Sequence, residues 1–555
     1  MKSYNKILAV LLSGAMLAGC NDLDVLPQGS TVTEEQKNDV LNIDPSKILA
    51  SVSGIAGQFT AFGSLSGGAG SDAHWDIGIP GVLIRMDLRG MDEYSITSGY
   101  NWFGAAEAFT DGLPSGQCYV IYEYCYNIIR ACNDVIKSQA PNIDLENPND
   151  NTNTVKFYVA QASAFRAYAY LYLAQSYAFT YDGNQTAPCV PLITEENMEK
   201  AAAEGEPRAT VQQIYDQIMA DLDRAVAYLD NNPVTPDKVI ESKPKRFVSL
   251  AAAYGLRARA NLLMHKWAEA ASDAENAIVK SGARPLSIEE AGRPGFNNIN
   301  ASNWIWGIAV AETDRVVTTG ICNFPSHMGS FGYGYASAVG AWKWISKNLY
   351  DRIPTLDIRK GWWLGEDGTS ANLTDRQNAF MASHESDPNR IQRIQVKFDS
   401  YQSVLNTQTN ACDVPLMRVE EMYLVRAEAL GMQDVAQGVA ALSDFVKTNR
   451  FQRYRLSATT VEDFLEELWF QRRIELWGEG FSYYDMLRFK KDLDRVGGGW
   501  PATCVYQIPA TDPLLIYPLP SGVITTNPYI SEADNTMGGG RPTPVEDDTS
   551  WKDNE

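Results

Sequence analysis

Residues 156–178 read KFYVAQASAFRAYAYLYLAQSYA, rich in alanine and apolar on nearly every side of a helix. A helix without a polar face has to lie between other elements, and its alanines let those neighbours come close. The rest of the chain supplies them. Gln117 to Ile136 places apolar side chains at 118, 121, 122, 125, 128, 129, 132, 135 and 136, with Glu123, Asn127, Arg130 and Asn133 elsewhere, which is the spacing of an amphipathic helix. Thr210–Leu229, Lys245–Met264, Trp267–Lys280, Pro415–Leu430, Val435–Lys447 and Val461–Trp477 are further helices, punctuated by Pro207, Pro233, Pro244 and Pro285. In 254–280, Gly255, Ala260, Trp267, Ala270, Ala274 and Ala277 follow tetratricopeptide logic, with small residues where two helices cross and an aromatic at the turn. Residues 423–447 repeat it more loosely. The pattern predicts an all-α-dominated fold: a tetratricopeptide-like helical repeat scaffold of about four helix pairs, with long irregular loops and a few short strands.

Charge and motif content narrow what such a scaffold does. Acidic residues outnumber basic ones 68 to 47, for a net charge of −21, and no basic run suits a phosphate backbone, so no nucleic-acid partner is expected. Arg450 to Arg455 and Arg472 with Arg473 sit among apolar neighbours and read as partly buried ion-pairing positions. There is no CxxC; Cys118, Cys125 and Cys132 recur every seven residues, on one helix face but about 10.5 Å apart along the axis, too far to bridge. Four histidines, His74, His265, His327 and His384, form no HExxH, and GxSxG is absent. Gly332-Tyr333-Gly334 lacks the third glycine of a dinucleotide fingerprint. No catalytic residue, metal or cofactor is therefore expected, although a glycosidase needs only two carboxylates and stays open as an alternative.

The first twenty residues have a separate role. Lys2 and Lys6 precede an apolar stretch, Ile7 to Ala18, too short to span a bilayer, and Leu17-Ala18-Gly19-Cys20 sets small residues before a cysteine. Residues 1–19 read as a lipoprotein signal, Cys20 as the lipidated residue, and 20–40, with Asp22 and Asp24, as a tether. A single helical domain follows over 41–530, and an acidic, Gly/Pro-punctuated segment, 531–555, is expected to be mobile.

Two stretches break the helical pattern, at about 64–115 and 296–400. The first carries HWDIG and GYNWF; within the second, 296–363 holds six of the thirteen tryptophans and GSFGYGYASAVGAWKW. Loops this long in a compact protein are usually functional. An aromatic face offers an apolar, slightly negative surface to the C–H side of a sugar ring, while neighbouring polar groups take its hydroxyls. On that reasoning Asp72, His74, Trp75, Asn101, Trp102, Tyr333, Tyr335 and Trp342 are the candidate ligand-binding residues. Trp304 and Trp306 alternate as in a strand and belong to the core, Trp342 and Trp344 begin a helix, and Trp267, Trp362, Trp363, Trp469 and Trp477 are core.

Several segments carry a family likeness: PLMRVEEMYLVRAEAL at 415–430, WFQRRIELWGEGFSYYDMLRF at 469–489 and YPLPSGVITTNPYI at 517–530, together with FRAYAYLYLAQSYA and YGLRARANLLMHKW. With the lipoprotein signal, they make the chain resemble the SusD/RagB family over nearly its whole mature length. One departure is Phe481-Ser482, where relatives often place an arginine after Glu-Gly; this should weaken a scaffold contact. The resemblance implies a tetratricopeptide-like scaffold, no catalysis, and a SusC-like TonB-dependent transporter as partner, over whose mouth the lipoprotein would act as a hinged lid. It also implies that ligand residues lie in the variable loops, with Asn101 and Trp102 similar to an aromatic-plus-amide sugar contact. The expectation is a cell-surface lipoprotein, anchored to the outer membrane by lipid, that binds a glycan and delivers it to that transporter. The alternatives are a peptide-capturing lid or a glycoside hydrolase.

Cys20→Ala should release the protein from the membrane fraction. A variant that partitions with membranes as before, with no transporter present to retain it, would rule out the anchor.

Overall fold

The computed structural model describes residues 48–65, 73–95, 100–112, 117–143, 150–240, 242–384, 388–535 and 540–549. Two compact units divide at Leu49, and everything below concerns the second, Ala50–Glu555. The signal at 1–19, Cys20, the tether and Asp72 lie outside the described residues.

Helices dominate, as the periodicity requires. The inner one of the glycine-rich stretch is α1, Ile79–Arg89; then come α2, Tyr119–Gln139, α3, Asp150–Tyr177, α4, Val211–Leu229, α5, Leu250–Leu263, and α6, Trp267–Ser281. Four more lie towards the C-terminus: α7, Val419–Gly431, α8, Val435–Asn449, α9, Val461–Glu475, and α10, Ser482–Arg488. From α2 to α9 each packs on the next. In α3 every residue from Phe157 to Leu171 is buried. Its two polar anchors are spent on neighbours: Gln161 exchanges two 2.7 Å hydrogen bonds with the backbone of Val248, and Arg166 forks onto Asp221 of α4 at 2.7 and 2.8 Å while donating to Asn133 of α2 at 2.6 Å. Thr210 closes a capping box with Gln213 at the start of α4, and Ser249 and Thr460 cap α5 and α9. Small residues permit the crossings: a Cβ on Gly438 of α8 would lie 2.3 Å from the Cα of Gly431 in α7.

Strands are few. Among the described residues they form two-stranded antiparallel pairs. Two of these position the site: β1, Glu93–Tyr94, pairs with β3, Trp344–Ile345, and β2, Trp304–Ile308, pairs with β4, Val414–Arg418.

Some expectations need correcting. Residues 64–115 are not all loop: α1 is buried along its entire length, and its charges are met inside, Arg85 and Arg89 both by Asp111. Trp342 and Trp344 do not begin a helix, because Trp344 sits in β3 with its ring stacked 5.6 Å from that of Tyr94. Pro415 to Arg418 belong to β4, and the helix starts only at Val419. Trp267 is half-buried and stacks on His265 at 4.6 Å, whereas Trp304, Trp306, Trp362, Trp363, Trp469 and Trp477 are core. Within the acidic C-terminal segment, Arg541 donates to the carbonyl of Thr503 and Val545 to that of Val505, both at 2.9 Å, so this part is held against the body. Cys118, Cys125 and Cys132 are buried and are not bridged to one another, in keeping with their spacing.

At the heart of the C-terminal half lies a balanced set of buried charges. Arg359, Lys397, Arg418 and Arg450 face Asp357, Glu420, Glu475 and Glu479, every side chain at most 4% exposed. Glu475, at the end of α9, is gripped by Arg450 at 2.8 Å through both oxygens and by Arg418 at 3.1 Å. Burial alone would raise its pKa, but Arg450, Arg418 and Arg359 together hold it well below the usual carboxylate range; Glu479 is likewise held low. Because the folded values lie below the unfolded one near 4.5, the stabilisation is complete above that pH and lost as pH falls below it. Glu475→Gln, which leaves the buried set one carboxylate short of its cations, should cost about 3–5 kcal/mol. Urea melts of this variant and of the wild type between pH 7 and pH 3 check both points: the variant should be weaker at neutral pH and lose less on acidification.

Candidate functional site

The pairing of β1 with β3 draws two loop segments together, 100–107 and 326–342. In the second, Gly334 passes so close to Ser326 that a Cβ would meet its Oγ at 2.4 Å, and Tyr335 N donates to that Oγ at 3.0 Å. This turn lays the Tyr335 ring on His327, 4.7 Å away and 16° from parallel. His327 is buried, its Nε2 donates to the carbonyl of His74 at 3.0 Å, and Phe103 abuts it edge-on. His74 in turn has its ring 4.5 Å from Trp102, and its Nδ1 is hydrogen-bonded to the Tyr335 hydroxyl. Tyr100, 52% exposed, lies 6.3 Å from Tyr335 at the outer edge. The result is one aromatic face with half-buried His74 and Trp102 beside Tyr100.

Behind this face the groups are ionisable and buried. Glu107 accepts from Ser95 N and from Asn101 Nδ2, both at 3.0 Å, and burial pushes its pKa up to about 7. Ser95 Oγ donates to Trp342 O at 2.8 Å, tying the two segments. Neighbouring Lys343 is pushed down to about 8 by burial, and Glu93, whose two oxygens have no hydrogen-bond partner among the described residues, is raised well above the ordinary range for the same reason.

Of the residues singled out from sequence, the fold brings His74, Trp102 and Tyr335 together. Asn101 joins them by position, but its amide N–H is turned back to Glu107. Trp75 and Trp342 are corrections. Trp75 is buried edge-on to Tyr119 and near the Arg85 guanidinium, and Trp342 is buried with its ring edge-on to His384, so neither presents a face for stacking. Tyr333 is 43% exposed on the Tyr335 loop but stacks on none of these rings. Tyr100 and His327 were missed. Tyr100 stood in plain sight in GYNWF; His327 had no local mark, since it is only the fold that brings it beneath Tyr335.

Two family models match the sequence, one described as starch-binding associating with outer membrane over residues 89–262, the other the SusD family over 344–535. The chain belongs to the SusD/RagB family. Its fold agrees: it superposes on a SusD-like carbohydrate-binding protein from Bacteroides vulgatus ATCC 8482 with TM-score 0.67 and 21% identity, covering 88% of this chain and 97% of that one. A SusD superfamily protein from Bacteroides thetaiotaomicron VPI-5482 gives 0.64 at 20% identity, covering 87% and 98%, and one from Bacteroides fragilis 0.62 at 22%, covering 88% and 98%. No curated protein matches the sequence.

Chemically, the face of this SusD/RagB chain offers rings and neutral hydrogen-bonding groups. Burial pushes the Tyr335 hydroxyl up to about 12, so it keeps its proton at neutral pH. Among the described residues no group of three or more His, Cys, Asp and Glu could hold a metal ion. Burial, reinforced by Lys343, lowers His327 to about 3. A folded value below the unfolded one near 6.5 means that stability from this group is present above pH 6.5 and falls as the unfolded chain takes up the proton below it. NMR of the imidazole nitrogens should show His327 neutral, with the proton on Nε2, from pH 7 down to pH 5. A titration midpoint near 6 would mean that the ring is open to water and the face is not built as described.

Proposed function

We propose that this protein binds a glycan at the surface of the outer membrane, held there by lipid on Cys20, and delivers it without hydrolysis to a SusC-like TonB-dependent transporter. The observation that carries the reading is the face formed by Tyr100, Trp102 and His74 over the buried ring of Tyr335, with ring centroids 4.5–6.3 Å apart. A sugar ring stacks on such a surface through its C–H groups while the rim donates and accepts hydrogen bonds. The similar protein from Bacteroides vulgatus, described as carbohydrate-binding, supports the same reading, as does the starch-binding description of the matching family. Tyr335 keeps its proton, and the carboxylate behind this face, Glu107, is buried and engaged by Ser95 N and Asn101 Nδ2.

Titration calorimetry of residues 21–555 against a panel of neutral polysaccharides tests the reading. Trp102→Ala should weaken the glycan that binds by about 2 kcal/mol with little change in melting temperature. Trp477→Ala, whose indole is core and donates to Asp92 O at 3.0 Å, should instead cost roughly 3–5 kcal/mol of stability. Normal glycan affinity in Trp102→Ala would place the ligand elsewhere.

A further inference from the structure

A second concavity shares no lining residue with the aromatic face. It has a volume of about 720 Å³ and lies between residues 56–62, Ile240, Ser242, Lys243 and Arg246, and β2 with the residues that follow it to Arg315. That is within the usual range for small-ligand sites, roughly 300–1,000 Å³. Its apolar wall is a packed aromatic group: Phe59 and Phe165 are 5.4 Å apart, and each lies 6.0 Å from Trp306.

The charges along its rim are what single it out. Lys243 is occupied, paired with Asp413 at 2.7 Å, and Glu312 accepts from the Tyr401 hydroxyl at 2.8 Å. Asp314 accepts from Ala311 N at 2.8 Å. Arg246 and Arg315 differ. Each guanidinium is held near an aromatic ring, Arg246 by Phe247 at 5.5 Å and Arg315 by Phe62 at 5.3 Å, and among the described residues neither forms an ion pair. Arg246 is half-buried, and burial lowers its pKa against the more distant pull of Asp314, so its charge is partly stripped of water without a carboxylate in contact. The cavity of this acidic chain, net charge −21, thus carries two arginines that no carboxylate of the described residues contacts. A planar fork of N–H donors matches a carboxylate in two-point geometry, while Phe59, Phe165 and Trp306, all buried, stiffen the floor behind it.

We infer that this cavity is a second ligand site, which takes the carboxylate-bearing sugar units of an acidic glycan, with Arg246 and Arg315 holding the carboxylate. It rests on the glycan-binding reading given above and deepens it: one chain would grip a polysaccharide at two places, a neutral ring on the aromatic face and a uronic acid here. Two linked contacts raise the overall affinity when their spacing suits the chain.

Gly57 supplies a clean way to close the cavity. It lines the space, and a Cβ there would meet no atom within 4 Å. Calorimetry on the mature protein with trimers of galacturonic acid and of glucuronic acid, the corresponding neutral galactose and glucose trimers, and a hexapeptide of glutamate would test the site. The expected result is that a uronate trimer binds more tightly than its neutral counterpart and more weakly as salt is raised. Arg246→Ala with Arg315→Ala, and separately Gly57→Phe, should each reduce that affinity at least tenfold with melting temperature unchanged, while Trp102→Ala leaves it intact. Failure of the wild type to bind either uronate trimer, or binding indifferent to all three substitutions, overturns the site. Arginine-dependent binding of the glutamate peptide without the uronates overturns the sugar class. Neutral glycan binding that depends on Trp102, with no uronate binding, sinks this inference alone. Arginine-dependent uronate binding with no glycan sensitive to Trp102 sinks the reading of the aromatic face and upholds this one.

Discussion

The C-terminal half of the molecule is organised around carboxylates that cannot reach water. Glu475 and Glu479 lie one turn apart at the end of α9, and the cations that neutralise them come from far apart in sequence: Arg359, Lys397, Arg418 and Arg450. Arg418 closes β4, Arg450 follows α8, and Arg359 and Lys397 arrive from the long segment between α6 and α7. Ions removed from water must find partners of good geometry, since an unmatched buried charge costs several kcal/mol. An apolar cluster of equal size would tolerate sliding; a set of eight charges with fork-like hydrogen bonds does not. Lys397 adds a further restraint, donating to the carbonyls of Glu475 at 3.1 Å and Trp477 at 2.7 Å, which fixes the chain as it leaves α9.

From that fixed point the restraint passes to the two segments that carry the aromatic face. Trp477 Nε1 and Arg473 both bond Asp92, the residue before β1, and Ser482 Oγ donates to the carboxylate of the same residue at 2.5 Å. Gly480 N and Ser482 N donate to Asp87 of α1 at 2.7 and 3.2 Å. These contacts run between residues nearly four hundred positions apart and hold α1 and β1 against the helical body. Ser482 therefore is not idle; its hydroxyl and Arg473 share the Asp92 carboxylate between them. With β1 placed, β3 is placed by pairing, and the aromatic face forms at the junction of the two segments.

The face itself combines rigid and adaptable parts. His327 and Tyr335 are buried and stacked, so they define a floor, whereas Tyr100 stands out into solvent and Trp102 and His74 lie between. Such grading suits recognition of a sugar by one preformed ring surface with an adaptable edge, because little conformational entropy is lost on binding to a surface already in place. The cavity beside β2 has the other character, with the guanidinium groups of Arg246 and Arg315 at its rim.

The helical scaffold was legible in the sequence because its physics is local. The alanine-rich run at 156–178, the small residues at 255, 431 and 438, the caps at Thr210 and Ser249 and the stripe of cysteines all act between residues a turn or a helix apart, and each is where the period puts it. Arg450, Arg472 and Arg473 could be read as ion-pairing positions from their apolar surroundings, although not with whom they pair. The site was legible only as composition. Aromatic loop residues could be named, but which of them face outward depends on long-range contacts that leave no period: Trp75 turns in towards Tyr119, Trp342 packs on His384, and His327 comes under Tyr335 from a short helix of no special pattern. Helix α1 is only about three turns long, within a glycine-rich stretch, and its charged residues are buried against Asp111 and the chain beyond α9, contacts that no local pattern reports. What the sequence by itself determined was the helical body and its family; the tertiary structure alone decided which rings meet, because stacking and burial are settled between segments that only the completed fold brings within a few ångströms.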